Sequence, residues 1–175
     1  LQVEHTRTRA SCVACTIGCE HIYSLGNGTV RLEYESLFAL GSLCGVSDGA
    51  AVLLASKRCD ELGIDTISTG GSIAFAMECV ERGLLDEPWL TFGSGDAVLE
   101  AIELIGHREG VGALLAEGSR KAAQIIGQGS IAFAPQVKGL EIPGYEPRAL
   151  QTMALGFAVG ARGGGHNRSG AYDVD

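Results

Sequence analysis

Apolar positions in this chain recur mostly at helical spacing. The run Ala50-Ala-Val-Leu-Leu-Ala55 is apolar on nearly every side, which predicts a helix buried from several directions over 49–62. Asp48 stands where an N-cap belongs, and Gly63 stands where a left-handed residue ends a helix. A second helix is expected from Ser68 or Gly71 to Glu81, with Ile73, Met77 and Val80 on one face and Arg82-Gly83 closing it. Asp96 is placed as the cap of an amphipathic helix over 97–106, and 110–126 reads as one helix with Leu114, Leu115, Ala122 and Ile125 inward. Shorter helices are expected over 36–44 and 149–158.

Period-two signals are few. Residues 1–11 read as an extended polar lead-in, and Asn27-Gly28 between short alternating stretches predicts a small hairpin or irregular loop over 21–33. A short apolar strand is expected over 131–134 after the break at 127–130. From Pro135 the texture changes. Pro143, Gly144 and Pro147 mark a loop of fixed turns, and a subdomain boundary is placed there, dividing 1–135 from 136–175. The class is mainly α: a multihelical domain with little β.

Composition narrows the function. A net charge of −8 without any basic run argues against nucleic acid as a partner. The longest apolar run, 50–55, is far too short to span a bilayer. Six unevenly spaced cysteines and no secretion signal point to a reducing compartment, with the cytoplasm as the expected location. The chain opens at Leu1 in a charged stretch and stops just after a glycine-rich segment, so it is expected to be a piece of something longer.

Cys12, Cys15 and Cys19 place three thiols within eight residues, spaced C-x2-C-x3-C, with Gly18 allowing a tight turn. Iron–sulfur clusters take cysteine thiolates and normally want four, so a fourth ligand would come from elsewhere. Structural zinc on Cys12, Cys15, Cys19 and His21 is the competing reading, with plain reduced thiols the third. Arg162, His166 and Arg168 are threaded on three consecutive glycines, which allows close approach to an anionic ligand and also describes a plain surface loop. Tyr145 is held between two prolines, suited to donating to a substrate oxygen or simply to packing. Glu33 and Glu35 flank Tyr34 at the head of an apolar helix. Either a carboxylate enters the interior with a raised pKa, or the pair is a solvated helix start. Asp60 and Asp65 bracket a tight turn and can serve as caps alone.

Together these motifs resemble one family, the tungsten- (occasionally molybdenum-) dependent aldehyde ferredoxin oxidoreductases, over essentially all 175 residues. Cys12, Cys15 and Cys19 match three ligands of its [4Fe–4S] cluster. Asp60-x-x-Gly63-Ile64-Asp65 is similar to the first of its two D-x-x-G-L-C/D pterin motifs, with isoleucine replacing leucine. Tyr34-Glu35-Ser36 resembles the segment carrying an active-site glutamate, which favours Glu35 over Glu33. Tyr145 and His166 match its active-site tyrosine and histidine, and Arg162, Gly163 and Arg168 fall where the family contacts a bis-molybdopterin cofactor.

The resemblance implies oxidation of a small-molecule aldehyde to its carboxylic acid, with electrons passed to ferredoxin, and allows a homo-oligomer. Two departures stand out. The family's N-terminal β-rich domain has no counterpart here, and its second pterin motif and fourth cluster cysteine lie beyond Asp175. The chain is therefore expected to be the middle of such an enzyme, dependent on missing parts of its own parent chain and inactive alone. A stand-alone iron–sulfur or zinc module, and a relative acting as the catalytic subunit of an aromatic-acyl-CoA reductase, are the alternative readings.

Overall fold

The computed structural model describes residues 7–26, 28–168, 170–171 and 174. Strands β1 (Arg7–Ala10), β2 (Glu20–Leu25) and β3 (Gly28–Leu32) form an antiparallel sheet in that order. The lead-in thus contains a paired strand, with Arg7 opposite Tyr23 and Ala10 opposite Glu20. The β2–β3 hairpin is as expected, although Asn27 of its turn lies outside the described residues. Tyr23, Val30 and Leu32 turn inward and are buried.

Helix α1 (Tyr34–Leu40) starts directly after the sheet. The helix expected over 36–44 is cut at Gly41, where a Cβ would lie 2.5 Å from the Leu37 carbonyl oxygen; a 3-10 turn, Ser42–Cys44, follows. Helix α2 (Gly49–Leu62) has the expected ends: Asp48 accepts from the Ala50 N–H, and Gly63 adopts φ +69°. Local signals sufficed there because caps are local chemistry.

Helix α3 (Thr66–Glu81) is central and packs against α1 and the later helices. Ile73, Ala76, Met77 and Cys79 are wholly buried. Its Gly70-Gly71 pair carries an intrinsic penalty of about 1 kcal/mol per glycine in a helix interior. The pair is explained by what it touches: a Cβ at Gly70 would meet the Ala39 carbonyl at 2.4 Å, and one at Gly71 would meet the Glu141 side chain at 2.8 Å.

The remaining helices correct three expectations. Helix α4 (Gly95–His107) is capped by Ser94, whose hydroxyl accepts from the Ala97 N–H, and Asp96 sits inside its first turn. The segment 110–126 is two helices, α5 (Val111–Leu115) and α6 (Ser119–Ile126), broken at Gly118 with φ +83°. That break rotates α6, so Ile125 is 68% exposed while Ala122 and Ala123 are buried. The expected strand at 131–134 is instead a 3-10 turn, Ser130–Ala132. The strands come later, as β4 (Gln136–Val137) and β5 (Leu140–Glu141). Lys138 and Gly139 both have positive φ, the signature of a tight two-residue hairpin turn.

Helix α7 (Gln151–Val159) follows, and a 3-10 turn, His166–Arg168, ends the chain's described regular structure. Met153, Phe157 and Ala171 make a small cluster with Val137, Ile142, Tyr145 and Leu150, separate from the main core. The architecture is mainly α, with two small sheets among the described residues. No helix of the described residues is long and apolar enough to cross a membrane.

Candidate active site

Glu35 lies in the first turn of α1 and is buried. Its Oε2 accepts a hydrogen bond from the Gly144 backbone N–H at 2.8 Å. Its Oε1 is also buried and has no hydrogen-bond partner among the described residues. The nearest cationic candidate is His166 Nε2, 3.8 Å away and beyond direct hydrogen-bond reach. Burial pushes the Glu35 carboxyl above its usual range; the Gly144 N–H opposes this, and the Glu33 and Asp65 carboxylates add to it. The solvated-helix-start reading therefore fails for Glu35. Glu33, which has extended backbone before the helix, reaches toward Arg31 at 3.7 Å instead.

Tyr145 and His166 arrive from distant parts of the chain. Tyr145 follows a tight turn in which its N–H donates to the Pro143 carbonyl at 2.7 Å. Its ring centroid is 5.2 Å from that of His166 and 6.0 Å from that of Tyr34. His166 is delivered by the glycine segment packed on the β4–β5 hairpin. Gly163 has φ +74°, and a Cβ there would sit 2.1 Å from the Val137 carbonyl oxygen. The Gly164 N–H then donates to that same oxygen at 3.3 Å. Burial lowers the His166 pKa and the Arg162 charge lowers it further, against an opposing pull from the Asp65 carboxylate, so the site favours the neutral imidazole.

The hexapeptide Asp60 to Asp65 is the corner between α2 and α3. Asp60 is in the last turn of α2, and its carbonyl accepts from the Gly63 N–H. Ile64 packs against the core, and Asp65 caps α3 by accepting from the Ser68 N–H at 2.7 Å. Asp65 also borders three cavities. One, of about 260 Å³, is lined by Ser68, Glu141, Arg162, His166 and Asn167. A second of about 260 Å³ opens toward Arg31, Glu33, Ser56 and Asp60, and one of about 300 Å³ opens toward Thr69, Ser72 and Arg108. Asp65, Arg162 and His166 therefore share a cavity wall, while Asp60 faces another. The Arg168 backbone belongs to the His166 turn, but its side chain lies outside what is described.

The cysteines divide into two kinds. Cys44, Cys59 and Cys79 are wholly buried, and desolvation pushes the first two up to about 12 and the third to about 11, so they act as inert core residues. Cys12, Cys15 and Cys19 lie on the loop joining β1 to β2. Ala14 and Gly18 turn that loop with φ +61° and +57°, and Arg9 Nε ties its end by donating to the Gly18 carbonyl at 2.8 Å. The Cys12 sulfur lies near the Glu20 and Glu33 carboxylates, which raise its pKa, Glu33 most. The His21 Nδ1 is 3.1 Å from the Cys19 carbonyl oxygen.

Residues 2–175 match the family model of aldehyde ferredoxin oxidoreductase, domains 2 and 3. The chain belongs to this family. It is 42% identical over 163 residues to the tungsten-containing aldehyde ferredoxin oxidoreductase of Thermococcus kodakarensis, covering 89% of this chain and 27% of that protein. The corresponding Pyrococcus furiosus enzyme is 43% identical over the same coverage. An aliphatic sulfonate oxidoreductase, WOR-like subunit, of Pyrococcus furiosus is 31% identical over 173 residues, covering 90% of this chain and 28% of that protein. The fold also matches a chain of the active-site complex BamBC of benzoyl coenzyme A reductase in complex with 1,5-dienoyl-CoA, with TM-score 0.71, 28% identity and coverage of 89% of this chain and 25% of that one. The chain thus spans about a quarter of the length of its aldehyde ferredoxin oxidoreductase relatives.

Two residues of this family member escaped the sequence reading. Glu141, 3% exposed, accepts from both the N–H and the hydroxyl of Ser119 and lines the cavity that holds His166. A carboxylate between Leu140 and Ile142 was the available signal. Tyr34 was read only as a neighbour of Glu35, yet its hydroxyl donates to the Gly144 carbonyl at 3.0 Å.

Proposed function

We propose that the chain carries the catalytic wall and part of the cofactor cradle of a tungsten-dependent aldehyde oxidoreductase. In that reaction an aldehyde and water give a carboxylic acid, two protons and two electrons, with ferredoxin as the acceptor. The observation that carries the reading is the buried Glu35, whose Oε1 has no hydrogen-bond partner among the described residues and faces His166 beside Tyr145. An orphaned buried carboxylate oxygen costs stability unless a ligand or substrate proton completes it.

The donor set fits the family's cofactors. Arg162, Asn167 and Ser68 offer guanidinium, amide and hydroxyl donors on one cavity with the Asp65 carboxylate, suiting a polar, anionic pterin. Cys12, Cys15 and Cys19 place three thiols on one loop, suiting a [4Fe–4S] cluster that takes a further ligand from elsewhere. When bound, the tungsten–pterin centre supplies the two-electron redox chemistry and the cluster supplies one-electron transfer onward.

The protein's own residues move protons and hold the substrate. Glu35, made more basic by burial, takes the proton from the attacking oxygen at Oε1. Burial favours the neutral form of His166, whose imidazole would face the substrate carbonyl, and Tyr145, its ring beside that of His166, would help to orient the same oxygen.

The test uses the full-length parent protein, purified anaerobically. Tungsten with about four irons per chain and turnover of an aldehyde with ferredoxin are expected. Zinc without tungsten or acid-labile sulfide would overturn the reading. A second reading, an aromatic-acyl-CoA reductase, is favoured by the likeness to the benzoyl-CoA reductase complex. Reduction of an aromatic acyl-CoA thioester without aldehyde turnover would select it.

A further inference from the structure

Tyr34 is 47% exposed, yet its polar end is committed. Its hydroxyl donates to the Gly144 carbonyl at 3.0 Å, while the next residue, Glu35, takes the Gly144 N–H at 2.8 Å. Two consecutive residues of the first turn of α1 therefore grip both polar groups of one glycine, 110 and 109 positions away. One turn further along the helix, Phe38 closes the third side: a Cβ on Gly144 would lie 2.9 Å from its ring. Gly144 is the central residue of the turn in which the Tyr145 N–H donates to the Pro143 carbonyl.

These bonds are chained. The Gly144 carbonyl and the Tyr145 N–H belong to one peptide unit, so a donor on the oxygen polarises that unit and strengthens the N–H bond to Pro143. The adjoining peptide unit holds Glu35 by one carboxylate oxygen, Oε2, and leaves Oε1 without a hydrogen-bond partner among the described residues. Losing the Tyr34 hydroxyl would loosen the turn, the direction of the Tyr145 ring and the grip on Glu35 together, although Tyr34 itself has no contact with His166 or its cavity in the geometry described. A phenylalanine at this position would keep the ring stacking and remove only that donor.

We propose that Tyr34 is a positioning residue, whose hydroxyl locks the Gly144 turn and so fixes both the Tyr145 ring and the Glu35 oxygen left facing His166. The proposal rests on the oxidoreductase reading for its effect on turnover, and on geometry alone for its effect on Glu35.

The experiment compares wild type, Tyr34→Phe, Glu35→Gln and the double variant in the full-length holoenzyme. Tyr34→Phe is expected to lower kcat about tenfold, the worth of one well-placed hydrogen bond, with little change in KM. The acid limb of its pH–rate profile is expected to move to higher pH, because the Gly144 N–H holds the Glu35 carboxyl down. The other titratable groups that act on or face Glu35, namely His166, Glu33 and Asp65, are unchanged in the variant. In the Glu35→Gln background the same substitution is expected to cost much less, since both act on one unit.

Infrared titration of the Glu35 carboxyl, identified as the band lost in Glu35→Gln, reads the clamp without any turnover. A midpoint raised in Tyr34→Phe supports the proposal even in an enzyme that leaves aldehydes untouched, an outcome that would strike only the functional reading. An unmoved midpoint, or a wild-type kcat and pH profile in Tyr34→Phe, overturns it.

Discussion

The Glu35 centre and the cysteine loop adjoin the same three-stranded sheet, yet they are built on opposite plans. The centre is non-local: Glu35, Tyr145 and His166 meet only because α1, the Pro143 turn and the glycine segment pack together. Burial then perturbs its titrating groups before any ligand arrives. The loop is local in sequence, and Cys12 is exposed while Cys15 and Cys19 are half-buried; hydrogen bonds from Arg9 to the carbonyls of Ile17 and Gly18 tie its end. A preorganised centre gains from a low-dielectric surround, whereas soft thiolate ligands gain their geometry from the metal they hold. On the proposed reading, the chain separates a part that folding completes from a part that a bound cluster would complete.

Substitutions on each side should separate the two. In the full-length enzyme Glu35→Gln is expected to reduce kcat by about 10²- to 10⁴-fold, the usual worth of a positioned general base, while iron and acid-labile sulfide stay at the wild-type level. Cys15→Ser is expected to do the reverse at the level of composition. Elemental analysis should show iron and sulfide falling to a small fraction of wild type, with the infrared band of the Glu35 carboxyl in place. If iron falls as far in Glu35→Gln as in Cys15→Ser, the two regions are not independent.

Gly163→Ala probes how the centre is delivered. A methyl group 2.1 Å from the Val137 carbonyl oxygen, on a backbone with φ +74°, has no room without moving the hairpin. A loss of about 2 kcal/mol in urea denaturation is expected, together with a fall in activity, because His166 rides on the same segment.

The smallest effect concerns pH. The folded-state pKa of Glu35 is raised, so between its unfolded value and that raised value the native state holds more protons than the unfolded one. Stability from this group therefore falls as pH rises through that window. Glu35→Gln should be more stable than wild type at neutral pH, and the difference should vanish below the unfolded carboxyl range. Denaturant midpoints measured at pH 4 and pH 7 would show it. His166 works in the other sense: its lowered pKa means stability is lost as pH falls below the ordinary histidine value.

The sequence was most legible where the chemistry is local. Asp48 and Gly63 bounded α2 because an N-cap and a left-handed glycine act within one turn. The same logic failed at α4, where Asp96 reads as the cap but Ser94, with extended backbone, is the residue that accepts from the Ala97 N–H. It failed again at 110–126, since the kink at Gly118 lets the Ser119 N–H reach Glu141, a partner 22 residues away. The members of the centre were each visible as residues, and the family resemblance ordered them. What remained invisible was the pairing: nothing near Tyr34 or Glu35 in the sequence points to Gly144. Reading Glu35 over Glu33 came from the resemblance; the structure adds that the Glu35 side chain is buried and the Glu33 side chain partly exposed.

Asp65 has a bearing on how genetic data from this chain would be read. One carboxylate ends a loop, starts the central helix and borders three cavities. Its replacement by alanine would confound folding with ligand loss, and a screen would score the position as essential without saying why. Asparagine, which can still accept the Ser68 N–H, separates the two by removing charge alone. Such shared corners resist piecemeal change, and a new specificity should be sought first in walls that serve one cavity each.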